Sequence, residues 1–218
     1  RVSKGIVYIS LGRTEALMQP NEQIPNEDYI QGERIKTVIT EVKNSTKGPQ
    51  IYVSRTHPAL VKRLFELEVP EIFDGEVEIK GISREPGSRT KIAVYAPNPD
   101  LDPVGSCVGQ KGHRVQNIVD ELQGEKIDVI EWNENPAILI SNALSPAKVM
   151  RVEVDEDDNS ALVVVPDYQL SLAIGKEGQN ARLAAKLTGW KIDIKNETQY
   201  KAYLKEIGEY EEVYGDEE

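Results

Sequence analysis

Two stretches of the sequence place glycines three residues apart around a polar pair: Gly109-Gln110-Lys111-Gly112 and Gly175-Lys176-Glu177-Gly178. Glycine permits backbone angles and close approaches that a Cβ forbids, so such a loop can lie flat against a chain of sugars and phosphates. Where a helix follows, its first turn offers unpaired N–H groups and a partial positive charge, which together make an anion site. Lys111, His113 and Arg114 add side-chain donors in the first stretch, and Lys176 with Arg182 one turn on does so in the second. Gln110, Glu177, Gln179 and Asn180 complete the two candidate surfaces. Glu177 opposes a phosphate if it points inward; it is expected to point into solvent, and the first loop is expected to be the stronger clamp.

A lone Gly-x-x-Gly is a weak signal, because ordinary turns and helix connections produce it. The elements around these two give it weight. In the first copy, strands around Val77 to Ile82 and Lys91 to Ala96 lead to a short helix from Asp102 to Val108, the loop, a helix from His113 to Leu122, Gly124 and the strand Lys126 to Ile130. In the second, strands at 151–154 and 161–165 lead to a short helix from Asp167 to Ile174, the loop, a helix to Leu187, Gly189 and a strand from Lys191. Lys-Ile-Asp opens the last strand of both. The glycines of the loops match at an offset of 66 and the later landmarks at 65, a difference that one deletion in a helix explains. A helix opened by proline precedes each copy, from Pro58 and from Pro136. An internal repeat of this size implies two small α/β domains, joined by so short a connection, Ile130 to Asn135, that their grooves would form one track for single-stranded RNA.

Upstream, residues 4–12, 14–19, 32–42 and 49–54 alternate apolar and polar residues between turn signals and read as four strands. A small sheet with open edges invites closure, and a five-stranded OB-type β-barrel would close it. The missing strand would precede Arg1. A linker helix from Pro58, with Leu60, Val61, Leu64, Phe65 and Leu67 at helical spacing and Pro70 beyond it, follows the barrel.

Composition excludes several classes. The 218 residues are 39% hydrophobic and 29% charged, as in ordinary globular chains. One cysteine, Cys107, allows no internal disulfide, and with only two histidines there is no ligand set for a metal; no cofactor is expected. No apolar run approaches a membrane span and no leader opens the chain, so nothing suggests export; a reducing cytoplasm fits the single cysteine, and a monomer is expected. The net charge of −11 opposes RNA binding as a single number, but five acids lie within 153–158 and residues 202–218 carry a net −6. The remainder is neutral and can present a basic face. The acidic runs read as a solvated hairpin tip and a solvated tail, or, for the tail, as a dock for a basic partner or a competitor of RNA.

No Ser-His-Asp set, phosphate-binding nucleotide loop or paired carboxylates in a cleft can be picked out, so no catalytic residue is expected. Cys107 and Ala173 occupy matching positions, which favours core packing. His57 reads as a helix-start residue, Trp132 and Trp190 as packing groups. For His113 phosphate contact and capping both stand, and Tyr8 and Tyr52 either stack a base or face the barrel core.

From Pro58 to Glu197 the chain resembles the KH family, in the bacterial version (type II) whose extra helix and strand lie at the N-terminal end. The first ~55 residues resemble an S1 domain, through 5–19 and the closing 48–56. An S1 domain followed by two KH domains resembles a family of bacterial transcription termination and antitermination factors. That resemblance implies domains at 1–56, 57–133 and 134–200 with an acidic tail at 201–218. It also implies binding of nascent RNA at RNA polymerase, with effects on pausing, termination and antitermination. The polymerase-binding domain of that family has no counterpart here. The alternatives are the RNA grip of a ribonuclease, where a single KH domain precedes the S1 domain, and a ribosome-associated RNA-binding protein.

Overall fold

The computed structural model describes residues 1–215. Arg1–Val129 form one compact unit and Ile130 onward a second.

The first unit opens with β1 (Val2–Ser3), β2 (Ile6–Ser10), β3 (Glu15–Met18), β4 (Val38–Ser45) and β5 (Gly48–Ser54). They form one sheet in the order β1-β2-β3-β5-β4, antiparallel except where β3 runs parallel to β5. This five-stranded sheet is consistent with an OB-like domain. Val7, Ala16, Met18 and Val53 form its core. The strand read from Gly32 begins only at Val38. Residues 24–37 instead run as irregular chain fastened by the buried Arg55, whose guanidinium donates to Lys36 O at 2.6 Å, to Glu27 Oε2 at 3.1 Å and to Glu121 O at 3.0 Å. Hydrogen bonds to one central cation replace the strand ladder that alternation alone suggested.

Two helices follow, α1 (Pro58–Glu68) and α2 (Pro70–Phe73). His57 caps α1 through Nδ1, which accepts from Ala59 N at 3.0 Å. Pro70, expected as a stop, opens α2, because at the first helical position its fixed φ helps and its missing N–H is not needed. Next come β6 (Glu78–Glu85), β7 (Arg89–Tyr95), α3 (Pro103–Val108), α4 (His113–Glu121) and β8 (Lys126–Glu131). The sheet order is β6-β7-β8. Leu60, Val61, Leu64 and Phe65 of α1 meet Ile92 and Val94 of β7, Cys107 and Ile118 in one core.

Two ion-pair sets hold this sheet. Glu125 accepts from Arg84 Nε and Nη2 at 3.0–3.2 Å, from Gly87 N at 2.8 Å and from Thr90 Oγ1 at 2.7 Å, with both charged side chains fully buried. Asp128 accepts from Arg89 twice at 2.7 Å and from Lys91 at 2.9 Å. Burial alone would raise the Asp128 carboxyl, but the hydrogen bonds and charges of Arg89 and Lys91 outweigh it and hold the group below its usual range.

The second unit repeats the order with α5 (Pro136–Ala143), β9 (Arg151–Asp155), β10 (Ser160–Val165), α6 (Leu170–Ile174), α7 (Gln179–Thr188) and β11 (Lys191–Asn196). β10 lies centrally, antiparallel to β9 and parallel to β11. Lys126 N donates to Ser88 O and Lys191 N to Asn159 O, so the last strand of each copy enters its sheet at the same point. The expected deletion is not in a helix. α7 ends on Gly189 at φ 76°, the place that Gln123 takes in the first copy at φ 55°, and Gly124 is then one additional turn residue.

The acidic end is not a solvated tail as far as it is described. α8 (Glu197–Ile207) and α9 (Tyr210–Tyr214) bury Tyr200 and Leu204 against Val164, with Leu162, Tyr210, Val213 and Tyr214 packed around them. Tyrosines and a leucine at helical spacing anchor one face while the acids line the other, a pattern that a net-charge reading overlooks. Asp216, Glu217 and Glu218 lie outside the described residues. The hairpin tip at 155–158 is exposed. Among the described residues no helix is long and apolar enough to cross a membrane.

Candidate nucleic-acid interface

The two glycine loops have the same backbone. Gly109 sits at φ 77°, ψ 174° and Gly175 at φ 79°, ψ 170°, a region essentially closed to other residues. The third position is left-handed in both, Lys111 at φ 54°, ψ 25° and Glu177 at φ 55°, ψ 25°, and the second glycines follow at φ 74° and 75°. Gly112 N donates to Gly109 O and Gly178 N to Gly175 O, each at 3.1 Å, closing the turn. Close packing explains the first glycine: a Cβ on Gly109 would meet Arg114 Cγ at 2.7 Å, and one on Gly175 would meet Asn180 N at 2.7 Å.

α4 and α7 therefore begin at glycines that supply no side-chain cap. The first N–H of each helix is used within its loop, His113 N donating to Gln110 O and Gln179 N to Lys176 O, so an anion would meet only the N–H groups beyond these. Gln110, Lys111 and His113 are exposed at the first loop, and Lys176, Glu177 and Arg182 at the second. His113 is the first helical residue and not the cap. Aligned position by position, the cation moves: Lys111 stands where Glu177 stands, and Lys176 stands where Gln110 does. Glu177 is exposed, as expected.

Two candidate residues turn inward. Arg114 is half-buried, with Nη1 donating to Ser106 O at 2.7 Å and to Glu71 Oε2 at 2.8 Å. Asn180 is only 4% exposed, and its Nδ2 donates to Ala173 O at 2.9 Å and Leu144 O at 3.1 Å. Both occupy the position two after the second glycine, and both tie the helix behind the loop to the helix ahead of it. Asn180 is thus a brace and not a surface contact, because the close approach of the helices at Gly175 leaves its side chain no route to solvent. Gln179 is half-buried. Arg182 is exposed and donates to Glu177 O at 2.9 Å, across the loop itself.

Glu71 is the participant that sequence reasoning missed. It lies 43 residues from Arg114 on a four-residue helix whose only local signal was a proline. Cys107 is fully buried, and burial pushes its thiol up to about 12, which suits packing. Tyr8 and Tyr52 are half-buried with Arg1 at 3.9 Å and Lys43 at 5.3 Å over their rings. Trp132 and Trp190 are half-buried. A cleft of about 1070 Å³ opens in the N-terminal sheet, lined by Tyr8, Glu15, Tyr29 and Arg34 among others. Among the described residues no three His, Cys, Asp or Glu side chains are grouped to hold a metal ion.

Residues 55–132 match the NusA-like first KH domain family and residues 136–202 the NusA-like second KH domain family. Over 210 residues, 96% of this chain, the sequence is 61% identical to the transcription termination/antitermination protein NusA of Bacillus subtilis, of which that covers 56%. It is 62% identical over 199 residues to the protein of the same name from Halalkalibacterium halodurans, 91% of this chain and 52% of that protein. With that of Mycobacterium bovis it shares 50% over 200 residues, 89% of this chain and 58% of that protein. The chain spans about half the length of the curated relatives it matches.

Proposed function

Since the chain belongs to the NusA family and corresponds to its S1–KH–KH region, we propose that it binds single-stranded RNA along the two glycine loops without chemical change to the strand. The observation that carries this reading is the identity of the two loop backbones, each opening an uncapped helix beside an exposed lysine. Phosphates sit against Gly109–Gly112 and Gly175–Gly178. Lys111 and His113 serve the first loop, with Gln110 beside them, and Lys176 with Arg182 the second. Arg114 and Asn180 keep the loops in shape.

In the whole protein the RNA is the nascent transcript at RNA polymerase, in the cytoplasm, and the grip modulates pausing, termination and antitermination. The S1 domain covers 1–56 and the KH domains, of type II topology, 57–133 and 134–200, with α8 and α9 as a cover on the second. The chain acts as a monomer.

Fluorescence anisotropy on a labelled single-stranded RNA tests this. Replacing Gln110 and Lys111 by Asp, and separately Lys176 and Glu177 by Asp, is expected to cut affinity while circular dichroism stays unchanged. Unchanged affinity in both variants refutes the loops as the clamp. Binding weakens with added salt, since phosphate contacts release counterions, and shortening of the RNA in proportion to protein refutes the non-catalytic reading.

A further inference from the structure

Eight of the nine tyrosines lie against a cation, another ring or a hydrogen-bond partner. Tyr168 is the ninth: it is 80% exposed and has no such contact among the described residues. It sits in the single turn Asp167–Gln169 that leads directly into α6 and the second glycine loop.

The backbone beneath this ring is held on both sides. The Asp167 carboxylate accepts from Thr198 N at 3.1 Å and from Thr198 Oγ1 at 2.5 Å, and Gln169 Oε1 accepts from Lys148 N at 3.0 Å. An exposed ring on a fixed turn offers a binding face with little backbone freedom left to lose. Leu172, 44% exposed, follows four residues later, within α6. Gly175 then ends α6, about 10 Å from Tyr168 along the chain at helical rise. A strand held by its phosphates at Gly175–Gly178 and continuing toward the start of α6 would bring a base within reach of Tyr168. The Asp167 carboxylate is turned to Thr198 and stays charged, which keeps phosphates on the lysine side and leaves an uncharged base as the fitting partner for the ring.

We propose that Tyr168 is a nucleobase-stacking site that extends the second glycine loop. Every base has a π-face, so the site strengthens binding with little regard to sequence. The first copy lacks it: the matching residue is Asp102, which caps α3 by accepting from Gly105 N at 3.0 Å. The second KH domain therefore carries an affinity element that compensates for Glu177 in its loop. This proposal rests on the RNA-binding reading above.

The test uses the full chain and a fluorescein-labelled short oligoadenylate, with a matching strand of abasic sites. Tyr168→Ala is expected to weaken oligoadenylate binding about tenfold without changing the salt slope, because no phosphate contact is lost. Tyr168→Phe and Tyr168→Trp are expected to keep the affinity, and the abasic strand to bind wild type and Tyr168→Ala equally. Wild-type affinity in Tyr168→Ala, or equal weakening in Tyr168→Phe, overturns the stacking site while leaving the loop reading intact, provided the Lys176 and Glu177 replacement still cuts binding. If the wild-type chain does not bind the oligoadenylate, the underlying reading falls and the stacking site with it.

Discussion

Arg114 reaches across the base of the first glycine loop to Glu71, Nη1 to Oε2 at 2.8 Å, while the same nitrogen donates to Ser106 O at 2.7 Å. The guanidinium thereby joins α2, the last turn of α3 and the first turn of α4. These contacts tie together the helices on either side of the loop, and in the second copy the uncharged amide of Asn180 bridges to Ala173 O and Leu144 O from the matching position.

This assignment fixes the sign of a mutation. Glu71→Gln is expected to weaken RNA binding several-fold, because the brace loosens, and Arg114→Gln in the same background should add little, since residues in one contact do not act additively. If Arg114 were a phosphate ligand held back by Glu71, Glu71→Gln would strengthen binding. Anisotropy on the two single variants and the double variant separates these outcomes.

The glycines of a loop are not equivalent. Gly109→Ala and Gly175→Ala place a Cβ within 2.7 Å of Arg114 Cγ and Asn180 N at a backbone angle that excludes side chains. Each should destabilise its unit by about 2 kcal/mol or more and abolish RNA binding at that loop. Gly112→Ala meets no atom within 4 Å, so only the left-handed φ opposes it, at about 1 kcal/mol. Urea titrations of the three variants measure the difference.

Glu125 is the buried acceptor for Arg84, Thr90 and Gly87. Glu125→Ala leaves the Arg84 charge buried, and its cost is expected at about 3–5 kcal/mol. In the second copy Trp190 occupies the matching place and Ala161 the place of Thr90, so no such pair is at stake there. A fall in the unfolding midpoint confined to the first unit checks this.

Alkaline pH should act on the second unit through Tyr200. Burial, helped by its hydrogen bond to Glu153 at 2.5 Å, pushes the phenol up to about 12. An unfolded tyrosine ionises near 10. Between about pH 10 and 12 the unfolded chain has released a proton that the folded chain retains, so this contribution is complete below pH 10 and is lost as pH rises. Tyr200→Phe should remove that part of the decline, seen as a flatter plot of unfolding free energy against pH.

Gln123 holds a left-handed conformation at φ 55° where the second copy has Gly189 at φ 76°. Gln123→Gly is expected to stabilise the first unit by up to about 1 kcal/mol, the strain relieved being partly offset by the added freedom of glycine in the unfolded chain. Denaturant unfolding of this variant beside wild type provides the measure.

The repeat, the helix and strand order within each copy, the helix start at His57 and the positions of both loops were all legible in the sequence. Each depends on local rules: period, proline and glycine punctuation, and recurrence at a fixed offset. The partners of the charged residues were not legible. Lys-Ile-Asp opens the last strand of both copies, yet Asp128 sits between Arg89 and Lys91 while Asp193 is exposed beside Lys195. Arg114 and Lys111 looked equally available for phosphate, and only packing turned one toward Glu71 and left the other in solvent. The acidic end looked solvated because its charges are dense, whereas Tyr200 and Leu204 bury themselves against Val164. Sequence alone determined where the backbone bends and which glycines bend it, because those preferences belong to single residues and their near neighbours. Which side chain faces RNA, which braces the loop and which seals the sheet was decided by contacts across tens of residues, and these exist only once the chain has folded.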